Sequence, residues 1–228
     1  MKFIKTIWGT SGRRLNCNQA IELVLKAPFP YPFTCYTYGK ENHKQLVDLG
    51  IDSILLCDED RMFPETSEFG HKVYVWKEAA KTCDKFIFSD FDVLLTRPLH
   101  KYFSREFDTY EFAASLRQYV NPKATWRKEH VRKIPCAAWI FMRKNVANEL
   151  WRIWDEDLKR CWREEKALAK FTEVNGELDL EYYKEYFDSY PWFNLKNESL
   201  FKNEDPLFKH YNRQEIPRFL KRLAKNKK

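Results

Sequence analysis

Asp90 and Asp92 are the residues whose type and spacing most clearly suggest chemistry. They follow the apolar residues 86–88, and a second apolar run begins at residue 93. A short continuous apolar run is typical of a strand buried in a parallel sheet, and open α/β sheets bind ligands at the carboxyl ends of such strands. Two carboxylates one residue apart can approach a single divalent cation, and such a cation could hold the diphosphate of a substrate.

A loop of small residues follows the first predicted strand, residues 2–8. Small residues let the backbone come close to a nucleotide, and an arginine at the end of the loop could meet phosphate. An ordinary turn with solvated arginines is the alternative interpretation. The candidates for nucleotide contact in this loop are Gly9, Thr10, Ser11 and Arg13.

The elements that would position these residues alternate between strand and helix. This alternation predicts an α/β fold with a Rossmann-like, mostly parallel central sheet flanked by helices. The predicted strands are 2–8, 33–38, 51–57, 84–89, 112–118, 136–142 and 194–200; the predicted helices are 41–49, closed by Gly50, 70–82, one of nearly twenty residues from Asn145, and one from Asp179 through Phe187. Residues 119–133 are predicted to form a long polar loop.

The composition predicts a folded domain followed by a basic tail. Hydrophobic residues make up 44% and aromatic residues 17% of the 228 residues, and no run approaches the roughly 20 apolar residues of a membrane-spanning helix. The net charge of +7 is concentrated in residues 218–228, which contain six basic residues; the rest has 34 lysines and arginines against 33 acidic residues. A nucleic-acid partner is therefore not expected, although the tail could make weak contact with an anionic membrane surface.

The six cysteines show no zinc-like spacing and mostly lie in apolar runs, as expected for reduced thiols in the cytoplasm. We therefore predict a cytoplasmic protein that could lie peripherally at a membrane. We predict one domain over residues 1–217, followed by the tail.

The segment from residue 84 to 99, with Asp90-Phe91-Asp92 at the end of an apolar strand, resembles the DxD segment of nucleotide-sugar glycosyltransferases with the GT-A fold. The DxD of that family also ends a strand after several βα units, and the glycogenin-like and related small transferases are the nearest in pattern. The resemblance implies a hexosyltransferase that uses a nucleoside-diphosphate sugar, by family default a UDP-sugar such as UDP-glucose. It also implies Mn²⁺ or Mg²⁺ and an acceptor that the sequence does not identify. By the same resemblance, the domain would have a nucleotide-sugar-binding half to about residue 99 and an acceptor half from about residue 100.

The resemblance further implies roles for individual residues of this chain. Asp92 and His210 would bind the metal, and Asp90 would help through a metal-bound water or the ribose. Lys72, with Lys77 as second choice, would reach the donor sugar or diphosphate from the helix before the DxD. Ala137 lies in a strand that resembles the one carrying small residues past the donor sugar, and Tyr38 completes the donor-binding candidates.

An enzyme that inverts the anomeric configuration of the sugar also requires a carboxylate base near the acceptor hydroxyl. Asp179 and Glu181, at the start of the predicted helix in the acceptor half, are the candidates. Both could instead be ordinary acidic residues that stabilise a helix start. An enzyme that retains the anomeric configuration would use the same region to position or stabilise the sugar cation.

Two other functions remain open from sequence. One is a Mg²⁺-dependent phosphatase of the haloacid dehalogenase class, with Asp90 as nucleophile and Asp92 as acid and base. That class places its Asp-x-Asp after the first strand, which would leave residues 1–80 without a role. The other is a non-enzymatic binding module in which the acidic pair is part of a structural turn.

Overall fold

A computed structural model describes residues 2–7, 31–60, 62–63, 66, 70–91, 93–95, 110–118, 133–160, 164–175, 180–182, 187–188 and 208–210, together with Lys221 and Lys225. For the three strands that follow residue 179, only the backbone is described. The segment from residue 8 to 30, which includes the predicted nucleotide loop, lies outside the described residues.

The strands and helices alternate along the first half of the chain, as the sequence predicts. The strands are β1 (Lys2–Ile7), β2 (Phe33–Tyr38), β3 (Ser53–Cys57), β4 (Lys85–Ser89), β5 (Val93–Leu95), β6 (Phe112–Gln118), β7 (Lys133–Arg143), β8 (Leu180–Tyr182), β9 (Phe187–Asp188) and β10 (Phe208–His210). The helices are α1 (Lys40–Asp48), α2 (His71–Ala80), α3 (Lys144–Arg152), which continues as a π-helix (Ile153–Asp157), and α4 (Glu164–Asn175).

Among the described residues, seven strands form the central sheet in the order β3-β2-β1-β4-β7-β6-β8. Four neighbouring pairs are parallel, whereas β7 runs antiparallel to both β4 and β6. The predicted α/β fold with a mostly parallel sheet is confirmed. From β1 the chain first adds β2 and β3 on one side and then returns to add β4 on the other. The carboxyl ends of β1 and β4 therefore flank a topological switch point, where sheets of this kind bind ligands.

Helices cover both faces of the sheet because its buried residues alternate between two apolar clusters. Tyr36 of β2 belongs to the large cluster with residues of α2, α3 and α4, whereas its neighbour Cys35 packs with Leu46 of α1. Helix α1 ends before Gly50, whose φ of +74° is the left-handed conformation that commonly closes a helix. The predicted role of Gly50 is confirmed.

A second, three-stranded sheet lies directly after the Asp-x-Asp segment. Strand β10 pairs antiparallel with β5 and parallel with β9. The register sets His210 opposite Val93 and Phe208 opposite Leu95. The last described strand of the chain therefore returns to the residues that follow Asp92.

The helix predicted from Asn145 is shorter than expected. Helix α3 and the π-helix end at Asp157, where Leu158 N–H still donates to Ile153 O, and the backbone then reverses at Lys159 and Arg160, both with positive φ. The chain then forms α4, a separate helix that the sequence analysis did not predict.

The helix predicted from Asp179 through Phe187 is wrong. Residues 180–182 form strand β8, which pairs parallel with β6 so that Glu181 lies opposite Ala113. An acidic residue before an apolar position resembles a helix start, but pairing with the open edge of β6 determines the local structure instead. Asp179 and the predicted strand 194–200 lie outside the described residues, as does most of the predicted loop 119–133.

No helix within the described part of the chain is long and apolar enough to cross a membrane. In the basic tail, Lys221 and Lys225 are exposed. Cys35 is buried, and Cys57 and Cys83 are half-buried.

Candidate active site

The end of β4 is fixed by backbone hydrogen bonds before any side chain is considered. Ser89 pairs with Trp139 of β7, and Asp90 N–H donates to Ala138 O at 2.9 Å. Val93 N–H, at the start of β5, donates to Asp90 O at 3.2 Å, which closes the four-residue segment from Asp90 to Val93. The strand with the buried Ala137 thus borders the Asp-x-Asp segment, and a contact of Ala137 with a donor stays a prediction.

Lys72 is buried and binds Asp90. The side chain leaves the first turn of α2, is 4% exposed, and sets its Nζ 2.6 Å from Asp90 Oδ2. The same Nζ lies 5.8 Å from the centroid of the Phe88 ring, within range of a cation–π interaction. A charge-assisted hydrogen bond away from water is stronger than one at the surface, so this pair fixes the direction of the Asp90 carboxylate.

Glu164 is the third member of this buried cluster, and sequence reasoning missed it. Its Oε1 lies 3.6 Å from Lys72 Nζ, and the residue is 3% exposed. Its Oε2 has no hydrogen-bond partner within the described part of the chain. A helical spacing of apolar residues could have revealed it. Glu164 precedes Ala167, Leu168 and Phe171 at that spacing, and all four residues are buried in α4.

Burial raises the pKa of the Glu164 carboxyl to about 7, against the opposing effect of the Lys72 ammonium. The nearby carboxylates of Glu165 and Asp90 raise this pKa further. Lys72 therefore faces one carboxylate at 2.6 Å and a second acid that gains a proton near neutral pH.

We expect the wild-type protein to lose stability relative to the Glu164→Gln variant as the pH rises from about 5 to about 8. The native state keeps a proton on Glu164 up to about pH 7, whereas the unfolded chain releases it near pH 4.5. Stability therefore falls between these values, by at most about 1.4 kcal/mol per pH unit. Urea unfolding at several pH values without divalent metal measures this, and stability curves that stay parallel for the two proteins would contradict it.

Lys5 supports the same segment from β1 and was also missed. It is fully buried, and its Nζ donates to Ser89 Oγ at 2.8 Å, Asp90 O at 3.0 Å and Val93 O at 3.4 Å. The parallel register explains the contact, because Ile4 of β1 is opposite Phe88 of β4. A lysine inside an otherwise apolar buried strand was the pattern that could have revealed it.

The backbone pairing brings His210 to the Asp-x-Asp segment, as the metal hypothesis requires. His210 is opposite Val93, the residue after Asp92, and Cα atoms of such antiparallel partners are about 4.5–5.5 Å apart. Asp92 itself and the side chain of His210 lie outside the described structure. Among the side chains that are described, no group of three or more His, Cys, Asp or Glu residues could hold a metal.

Three other predicted residues lie elsewhere. The hydroxyl of Tyr38 is inside the core and donates to His71 O at 3.2 Å, so its placement gives no support to donor binding. Lys77 Nζ lies 4.1 Å from the ring centroid of Trp151 instead of near Asp90. Glu181 is in β8 instead of a helix start, and Gly9, Thr10, Ser11, Arg13 and Asp179 lie outside the described residues.

Solved glycosyltransferases share this fold over nearly the whole chain. Apo mouse xyloside xylosyltransferase 1 matches with a TM-score of 0.57 and 13% identity, over 93% of this chain and 98% of that one. The galactosyltransferase LgtC, solved with donor and acceptor sugar analogs, matches with a TM-score of 0.57 and 13% identity, over 99% and 96%. The bifunctional glycosyltransferase WbbM in its apo form matches with a TM-score of 0.58 and 11% identity, over 98% of this chain and 49% of WbbM.

No protein-family model and no curated protein sequence matches the chain. The structural similarity therefore defines the fold, which is that of GT-A-type glycosyltransferases. The predicted resemblance is confirmed at that level. Function has to be argued from the site.

Proposed function

We propose that this protein is a glycosyltransferase that moves a sugar from a nucleoside-diphosphate sugar to an acceptor hydroxyl. The observation that carries the proposal is the buried Lys72–Asp90 pair at the carboxyl end of β4, beside the switch point of a GT-A-type sheet. A UDP-sugar such as UDP-glucose is our first choice of donor, from the resemblance of the Asp-x-Asp segment. No feature of the described residues favours the phosphatase alternative, whose Asp-x-Asp would follow the first strand, whereas Asp90 follows β4.

The proposed metal ligands, a carboxylate and an imidazole, suit a divalent cation such as Mn²⁺ or Mg²⁺. Strand β10 supports this choice because it brings His210 opposite the residue after Asp92. Asp92 and His210 would hold the ion. Asp90 would act through a metal-bound water or the donor ribose, since Lys72 already occupies its Oδ2. When bound, the ion neutralises the negative charge that develops on the leaving diphosphate.

Lys72 and Glu164 would then position the donor. Lys72 already lies between two acids, so its ammonium can stay charged in a buried site and face phosphate or sugar oxygens. Glu164 Oε2 could exchange a hydrogen bond with a sugar hydroxyl. Arg13 and the small residues Gly9, Thr10 and Ser11 would approach the nucleotide from the end of β1.

The candidate residues for the acceptor side lie in strand β8 and just before it. Glu181 lies in β8 at the edge of the sheet, next to β6, and Asp179 precedes that strand. We keep both as candidates for the base that removes the proton of the acceptor hydroxyl. The acceptor itself would be a sugar or another hydroxyl compound.

A thermal-stability screen of sugar nucleotides with and without Mn²⁺ tests this proposal. A ligand that binds the native state raises its stability, by about 2.7 kcal/mol at a hundred times its dissociation constant. We expect a UDP-sugar and UDP to stabilise the protein only with Mn²⁺, and uridine, which lacks the diphosphate, to have little effect. The proposal fails if no sugar nucleotide stabilises the protein beyond Mn²⁺ alone.

A further inference from the structure

The ammonium of Lys5 is an unusual group to retain inside a sheet. The side chain is fully buried, and Nζ lies 5.9 Å from the ring centroid of Phe33 and 5.6 Å from that of Phe91. Removing a charge from water is costly, and a well-packed apolar residue at such a place is often neutral or stabilising. Stability alone therefore does not account for a lysine here.

The contacts of Lys5 bridge both ends of one short segment. Three oxygen atoms accept hydrogen bonds from its ammonium: Ser89 Oγ, Asp90 O and Val93 O. The first acceptor ends β4, and the last begins β5. A single side chain from β1 thus ties the beginning and the end of the segment that contains both aspartates.

We propose that Lys5 is a positioning residue that holds the segment from Ser89 to Val93 in the conformation needed for cation binding. It acts through this segment rather than by touching the substrate. Lys72 fixes the carboxylate of Asp90 from one side, while Lys5 fixes its carbonyl from the other. The inference rests on the proposed function, since it assumes that this segment binds a cation with its diphosphate.

The test compares the full-length wild-type protein with the Lys5→Met variant in three measurements. These are the Mn²⁺ dissociation constant by electron paramagnetic resonance, the hydrogen exchange of Val93 N–H by NMR, and the thermal midpoint. Loss of a residue that orients metal ligands typically weakens metal binding by about tenfold or more. We expect that loss here, with Val93 exchange faster by about tenfold relative to Val75 in α2, and a thermal midpoint within a few degrees of wild type.

The direction of the change in metal binding separates positioning from plain electrostatics. Removing a positive charge beside a cation site would by itself tighten Mn²⁺ binding. Weaker Mn²⁺ binding would therefore show that the variant has lost the positioning effect of Lys5. Thr6→Val is the matched control, because Thr6 lies on the same strand and donates to Tyr36 O at 2.9 Å, and it should leave Mn²⁺ binding and Val93 exchange unchanged.

Mn²⁺ binding as tight as or tighter than wild type in Lys5→Met overturns the inference. If the wild-type protein itself binds no Mn²⁺, the metal part of the proposed function fails, and Val93 exchange alone decides whether Lys5 holds the segment. If Lys5→Met does not fold, Ser89→Ala removes one of the three acceptors. That variant should show smaller changes in the same direction, and unchanged Val93 exchange would count against the inference.

Discussion

Replacing Lys72 by methionine should lower the free energy of unfolding by about 3–5 kcal/mol at pH 8, the range for breaking a buried ion pair by removing one partner. The change removes the cation that lies 2.6 Å from Asp90 and 3.6 Å from Glu164. Both acids then lose their compensating charge inside the protein. The loss should be smaller at pH 5, because Glu164, with its pKa raised by burial, is then protonated.

Urea unfolding measures this loss, and Lys77→Met is the matched control. Lys77 is on the same helix but lies over Trp151, a contact worth about 0.5–1 kcal/mol at a partly exposed site. The double variant Lys72→Met/Glu164→Gln should recover part of the stability, since one uncompensated carboxylate is gone. If Lys72→Met were as stable as Lys77→Met, the buried ion pairs of Lys72 would not stabilise the fold.

Asp92→Asn should lower Mn²⁺-dependent release of UDP from a UDP-sugar by about a hundredfold to ten-thousandfold. The variant keeps the size of the side chain and removes the charge of the proposed metal ligand. Electrostatic stabilisation by a bound metal is worth several kcal/mol, and each 1.36 kcal/mol corresponds to about tenfold in rate. Initial rates at saturating and at limiting Mn²⁺ give the comparison.

Asp84→Asn is the control for this variant. Asp84 is an exposed carboxylate just before β4, so its removal takes away the same charge outside the site. We expect its rates to stay close to wild type. An Asp92→Asn protein with the rates of Asp84→Asn would exclude Asp92 as a metal ligand.

The first half of the fold could be predicted from sequence because three of its strands, β1, β2 and β4, are buried on both faces. Continuous apolar runs such as Phe86, Ile87 and Phe88 in β4 can be recognised without knowledge of their neighbours. The end of that run also located Asp90, the residue around which the described cluster forms. The local sequence was therefore sufficient to predict the strands whose burial it determines.

The rest depends on contacts between distant parts of the chain. Glu164 is 74 positions after Asp90, and only the packing of α4 against the sheet brings it to Lys72. Strand β8 forms because it pairs with the edge of β6, and the short sequence Leu-Glu-Tyr contains no signal for that pairing. Lys5 was overlooked because a charged residue in a strand is usually assigned to a surface position.

The central claim is that the Asp-x-Asp segment binds a cation that holds a nucleoside diphosphate. The most direct test incubates the wild-type protein with UDP-sugars, including UDP-glucose, and measures release of UDP with Mn²⁺ and with a chelator. In parallel, a phosphate monoester is offered under the same conditions. We predict UDP release that requires Mn²⁺ and no hydrolysis of the monoester. Hydrolysis of the monoester without release of UDP would contradict the account and favour a phosphatase.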